Sequence, residues 1–175
     1  MPTFDATTAT VWVDAFKEGV LSKVGHDVRL RVGTFSITVD DDRIEATFDP
    51  TSLAVESAMK DGRPNPGALS KRDASTIERY VRDDILEARR YRTLRFEADE
   101  LDLDDDALEI EGVLELHGVR EDLAVTAVRG EDGWRAEVRL NQPTWGIKPF
   151  RALMGALKIR PVIHVTVELP LSAVG

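Results

Sequence analysis

Cysteine is absent from all 175 residues, which excludes disulfides, thiolate catalysis and cysteine metal sites. Positive charge is in short supply. The 23 Lys and Arg stand against 32 Asp and Glu, for a net charge of -9. A nucleic-acid binder needs a basic face to neutralise phosphates, so no nucleic-acid partner is expected. No apolar run approaches the ~18–20 residues of a spanning helix, so no membrane-spanning segment is expected. The opening residues Met1-Pro2-Thr3-Phe4-Asp5-Ala6-Thr7 lack the basic and apolar regions of a secretory signal, and a cytoplasmic location is expected. Also missing are a Gly-x-Ser-x-Gly elbow, a P-loop and a dinucleotide fingerprint. No cofactor is expected, and no catalytic residue is assigned.

What is present is alternation with period two, the mark of strands with one wet and one buried face. Ile44, Ala46 and Phe48 alternate with Arg43, Glu45, Thr47 and Asp49. The same holds for Leu94-Phe96-Ala98, for Leu108 and Ile110 with Leu114 and Leu116, for Trp134-Ala136-Val138-Leu140, and for Ile163-Val165-Val167-Leu169. Val28, Leu30 and Val32 are apolar at even positions, but Phe35, Ile37 and Val39 at odd ones. A bulge or sharp bend at Gly33-Thr34 would account for that change of phase. A second change falls between Ala98 and Leu101. Turn signals at Asp40-Asp41-Asp42, Asp104-Asp105-Asp106, Gly130-Glu131-Asp132-Gly133 and Asn141-Gln142-Pro143 separate the strands.

About eight strands at this spacing predict an all-β fold, an eight-stranded antiparallel barrel, over a single domain of residues 1–175. One helix is inserted. Ser75-Thr76-Ile77-Glu78 has the form of a capping box, and Ala74, Ile77, Val81 and Ile85 recur at helical spacing, so a helix is expected over about residues 75–87.

Several segments, taken in order, resemble the YceI-like family. Gly25-His26-Asp27 opens a long strand through Gly33-Thr34-Phe35, and Asp83 to Phe96 leads from helix to strand. Ile110-Glu111-Gly112-Val113-Leu114-Glu115-Leu116-His117-Gly118-Val119-Arg120 is similar to the family's most recognisable strand and turn, and Trp145-Gly146-Ile147-Lys148 to the motif before the last strand. The order of these motifs, rather than any one of them, carries the resemblance, which spans Val11 to Leu169. It implies a lipocalin-like barrel that binds polyisoprenoid lipids, in a divergent member without a signal peptide.

An eight-stranded barrel either fills its interior with side chains or holds one small ligand, and the pattern leaves both open. The inward set comprises Val28, Leu30, Phe35, Ile44, Phe48, Val55, Phe96, Ile110, Leu114, Leu116, Trp134 and Ile163. If it is hollow, the candidate ligand-binding residues are Val28, Leu30, Phe35, Phe48, Phe96, Leu114, Leu116 and Trp134, with Trp145 from the last motif. Phe150, Leu153, Met154 and Leu157 fall at helical spacing and read as a short helical gate at the mouth, adaptable because methionine is flexible. Lys148, Arg151 and Lys158 flank it as candidates for an anionic head group; the plain alternative is a buried connection whose cations snorkel to water.

His26, His117 and His164 lie on distant segments without metal-ligand spacing, and no metal is expected. The leading expectation is therefore a non-enzymatic transport protein for a lipid or other long apolar molecule. Two other classes remain: an interaction module with a filled barrel, as a homodimer through an exposed edge or apolar patch, and a small-molecule enzyme using His26 or His117 as general base.

Overall fold

The computed structural model describes residues 2–19, 26–152 and 157–170. In chain order the strands are β1 (Thr3–Phe4), β2 (Thr10–Ala15), β3 (Lys17–Glu18), β4 (Asp27–Val32), β5 (Phe35–Val39), β6 (Ile44–Phe48), β7 (Leu53–Lys60) and β8 (Arg63–Pro64). After the helix come β9 (Leu94–Ala98), β10 (Ala107–Leu116), β11 (Val119–Gly130), β12 (Gly133–Asn141), β13 (Arg151–Ala152), β14 (Leu157–Ile159) and β15 (Val162–Pro170). Every pairing among the described residues is antiparallel.

A 12-stranded sheet, ordered β1-β5-β6-β9-β10-β11-β12-β15-β2-β4-β7-β8, curls into a half-barrel, and β13-β14-β3 form a separate 3-stranded sheet. The count of twelve replaces the expected eight, for two physical reasons. Long arms bend and divide: β4 continues as β5 across Gly33-Thr34, and β6 continues as β7 across a 3-10 turn at Pro50–Ser52. The sheet also gains β1 and β8 as two-residue edges, too short to show any alternation.

The bend at Gly33 is held from both sides. Its N–H donates to the Ser52 carbonyl at 3.0 Å, and the Asp49 N–H donates to the Thr34 carbonyl at 3.0 Å. A Cβ at Gly33 would stand 3.0 Å from that same Ser52 oxygen, so glycine is the residue that lets the arms meet. The register shift in this arm lies earlier, between Arg29 and Leu30 opposite β7, where Arg29 pairs with Ser57 and Leu30 with Val55. Glu56 is the extra residue. The other change of phase is no bulge: β9 ends at Ala98, and Leu101 sits in the connection with its N–H on the Asp42 carbonyl.

The helix also starts earlier than expected. α1 spans Lys71–Arg79 and passes into a π-helical turn at Tyr80–Ile85. Its N-cap is Ser70, whose hydroxyl accepts from the Asp73 N–H at 3.1 Å. The first turn, Lys71-Arg72-Asp73, is charged and exposed, so apolar spacing cannot reveal it and the inner Ser75 box misleads. Glu87, expected inside the helix, lies beyond its end at φ 47°.

The outer face of the sheet is covered by cross-strand ion pairs. Arg95 meets Glu45, Arg135 meets Glu168, and Arg29 forks onto Asp14 at 2.8 and 2.9 Å while lying over the Trp12 ring. Those hydrogen bonds to Asp14 hold the Arg29 guanidinium above its ordinary value.

Candidate functional site

The concave face of the half-barrel encloses a cavity of about 450 Å³, inside the range of small-molecule pockets. The interior is therefore hollow. One end is shut by a cluster in which Phe4 is fully buried, with Ala9, Val32, Phe35, Ile37 and Val39 around it. The other end is bordered by Leu69, Ile77, Tyr80 and Val81 of the helical excursion, by Phe150, and by Lys17, His26, Lys158 and Ile159. Tyr80, His26 and Lys158 are exposed, so the cavity reaches the surface here. The wall between is almost wholly aliphatic or aromatic. Asp49 and the buried Gln142 are the polar residues deeper along it, and Gln142 Nε2 already donates to the Arg160 carbonyl at 3.2 Å.

Ten of the proposed inward residues meet on this wall and Phe150 stands at its mouth: Val28, Leu30, Phe48, Phe96, Leu114, Leu116 and Trp134 line the cavity, as do Ile44, Ile110 and Ile163 from the wider inward set. Gly112 makes room for Phe96. A Cβ there would lie 2.5 Å from Phe96 Cζ and 2.5 Å from the Glu97 carbonyl oxygen, so its absence lets the ring lie over β10. Three expected wall residues are elsewhere. Phe35 packs in the Phe4 cluster with its ring 6.1 Å from that of Phe48. Val55 lies off the cavity beside the Glu56 bulge. Trp145 is 3% exposed, and its Nε1 donates to the Leu114 carbonyl at 3.0 Å, so it braces the wall from behind.

The helical reading of the mouth does not hold where the chain is described. Arg151 pairs with Lys158 and Ala152 with Leu157 as antiparallel strands, and β14 continues onto β3. Four apolar residues at helical spacing are too few to outweigh such backbone pairing. Leu153 and Met154, with the side chain of Leu157, lie outside the described residues. Of the three candidate cations only Lys158 touches the cavity, and its Nζ is 3.6 Å from Glu18. Arg151 faces it across β13 and β14; Lys148 lies off the cavity.

Sequence reasoning missed part of the wall. Val11 and Val13 of β2, Leu123 and Val125 of β11, and Ile77, Tyr80, Ile85 and Leu86 all contribute. Alternating Val11-Val13 and Leu123-Val125-Ala127 carried the signal in the sequence.

The three histidines sit in three different settings, and of them only His26 borders the cavity. His117 is tied down away from the cavity: its Nε2 meets Glu87 Oε2 at 2.8 Å and its Nδ1 meets the Trp145 carbonyl at 3.3 Å. Both partners are acceptors, so both bonds form together only when both ring nitrogens carry hydrogen. His117 (φ 55°) and Gly118 (φ 73°) make the tight β10–β11 turn, and a Cβ on Gly118 would sit 2.7 Å from the Tyr91 ring. His26 stands exposed at the rim, where Asp27 is engaged by the Lys17 N–H at 2.9 Å. His164 packs edge-on against Phe16. Among the described residues no cluster of His, Asp and Glu is arranged to hold a metal.

The model of the YceI-like domain matches residues 3–171. The chain belongs to the YceI-like family. Solved structures share the fold at low identity. Burkholderia cenocepacia BcnA superposes with TM-score 0.65 at 12% identity, covering 92% of this chain and 94% of its own. A polyisoprenoid binding domain from Saccharophagus degradans implicated in plant cell wall breakdown gives TM-score 0.61 at 14% identity, covering 97% and 99%. No curated protein has a matching sequence. In this YceI-like chain the family's strand-and-turn motif forms cavity wall at Ile110, Leu114 and Leu116, and the Trp145 motif supports it.

Proposed function

We propose that the protein is a non-enzymatic carrier that holds an elongated apolar or amphiphilic molecule, of isoprenoid type, inside the half-barrel. The cavity of about 450 Å³ with its nearly continuous apolar wall carries this reading. Such a wall offers a chain no hydrogen bonds, so affinity comes from water removal, about 0.8 kcal/mol for each buried methylene. A five-carbon isoprene unit then contributes roughly 4 kcal/mol before the cost of ordering the chain. The polyisoprenoid binding of the Saccharophagus degradans domain supports the ligand class.

A polar head group would sit at the rim, where Lys158 and, across the strand pair, Arg151 supply charge. Catalysis finds no support in the histidines, since the one on the rim is exposed and the partly buried His117 is engaged away from the cavity. A filled interaction module finds none in a hollow interior. Tyr80 and Val128 are the exposed large hydrophobics among the described residues.

Native mass spectrometry on protein purified without detergent, followed by solvent extraction, tests the carrier reading. A discrete added mass, lost on denaturation and identified as a chain lipid, is the expected result. Protein that stays empty after incubation with isoprenoid lipids would sink it.

A further inference from the structure

The two ends of the half-barrel differ in charge far more than the net value reveals. β10 and β11 run antiparallel, pairing Ala107 with Val128 at one end and Leu116 with Val119 at the other. The connections 99–106 and 131–132 therefore lie at the closed end. The turn 40–42 joins them, because Ile44 pairs with Ala98. These three segments hold eleven acids and no base. The opposite end has the reverse pattern. Residues 88–93, which lead into the far end of β9, and residues 142–161, which connect β12 to β15 beside the mouth, hold seven bases and no acid. Between these two stretches the helical excursion 71–87 is close to neutral, with four bases and five acids, and at the rim Glu18 answers Lys158.

We infer that the basic mouth docks on the anionic face of a lipid bilayer, with the acidic end held away from it. This rests on the carrier reading, since a bilayer is the reservoir of an apolar chain and transfer needs the mouth against it. Screening decides whether an acidic protein can do this. The Debye length is about 8 Å at physiological ionic strength. β11 has 12 residues, which at ~3.3 Å per residue and a typical tilt separate the two ends by roughly 30 Å. An anionic surface under the mouth therefore meets the local bases, while the distant acids are screened and disfavour the inverted pose. Tyr80 and Phe150, with rings 5.2 Å apart at the same rim, supply the amphipathic contact suited to a headgroup layer.

The test is partition of the full chain onto phosphatidylcholine vesicles with and without phosphatidylglycerol. Each basic residue near an anionic surface is worth roughly fivefold, so the anionic vesicles are expected to bind at least tenfold better. Arg89→Gln/Lys148→Gln/Arg160→Gln should remove most of that difference. Asp41→Asn/Asp105→Asn/Asp132→Asn, at the closed end, should change it less than about twofold, although net charge alone would predict an equal and opposite effect. If the first variant fails to fold, raising salt to about 1 M on the unchanged protein must release it, because screening then falls to ~3 Å. Equal binding to both vesicles, binding to neither, or matching responses of the two variants would overturn the inference; binding to neither would turn attention to an acidic protein as the partner of this face. Bound lipid measured in the same samples separates the two ideas. A lipid-loaded protein that ignores vesicles defeats only the docking, and an empty protein that still binds by charge defeats only the carrier.

Discussion

The closed end and the mouth are built on different principles. At the closed end, β1 lays Phe4 against Ile37 of β5, and a fully buried aromatic ring unites Val11, Val32 and Ala46 in one cluster. At the mouth, a half-exposed tyrosine, a phenylalanine and a lysine border open space, held by strand pairs of two or three residues. Cohesion is concentrated where nothing has to pass. Adaptability is left where a ligand must enter, in keeping with the low local stability of binding segments in general.

The comparison breaks most sharply if the hollow is filled. Val138→Trp places an indole in the cavity and displaces at least two chain methylenes, each worth about 0.8 kcal/mol, so lipid retention should fall roughly tenfold or more. Extraction and lipid analysis of variant and parent, with similar melting temperatures, would check this. Unchanged retention would mean that the cavity does not hold the chain. Next comes the plug itself. Phe4→Ala should cost about 3–5 kcal/mol, a loss of roughly 10 °C in Tm by thermal unfolding, because Phe4 is the fully buried ring of its cluster.

A third experiment concerns the brace behind the mouth. His117→Ala leaves the Glu87 carboxylate and the Trp145 carbonyl without their partner, which should cost roughly 1–3 kcal/mol. Lipid retention should stay the same, since His117 is not on the cavity. A variant of unchanged stability that lost its lipid would instead place His117 in binding.

The strands were largely legible because each carries one buried face, as in Ile44-Ala46-Phe48 and Trp134-Ala136-Val138-Leu140. Even the change of phase at Gly33 marked a true bend. What escaped were features without a periodic signal. β1 and β8 are two residues long, and the first turn of α1 is wholly charged. The site followed the same divide. Wall residues on alternating strands were found, whereas Phe35 and Trp145 share the apolar character of the wall yet pack elsewhere. Apolar spacing shows that a side chain turns inward; whether it then meets space or another side chain depends on long-range closure. The mouth was misread for a related reason, since helical spacing across residues 150–157 competes with the pairing of β13 with β14, and β14 is itself held at Lys158 and Ile159 by β3, a partner more than a hundred residues earlier.

The smallest expected effect tests whether the mouth reads a head group at all. Lys158 lies on the cavity but is half exposed and already 3.6 Å from Glu18. A lipid phosphate must compete with that carboxylate in a high-dielectric setting, where a single exposed ion pair is worth about 0–1 kcal/mol. Lys158→Gln should therefore weaken an anionic chain lipid by only about two- to fivefold, and leave a neutral lipid of the same chain unaffected. Glu18→Gln should act in the opposite direction, because it removes the competitor. Paired titrations with the two lipids would show both shifts. If the neutral lipid weakened as much as the anionic one, Lys158 would be acting through the packing of its stem along the rim, and the apolar wall alone would determine what the protein carries.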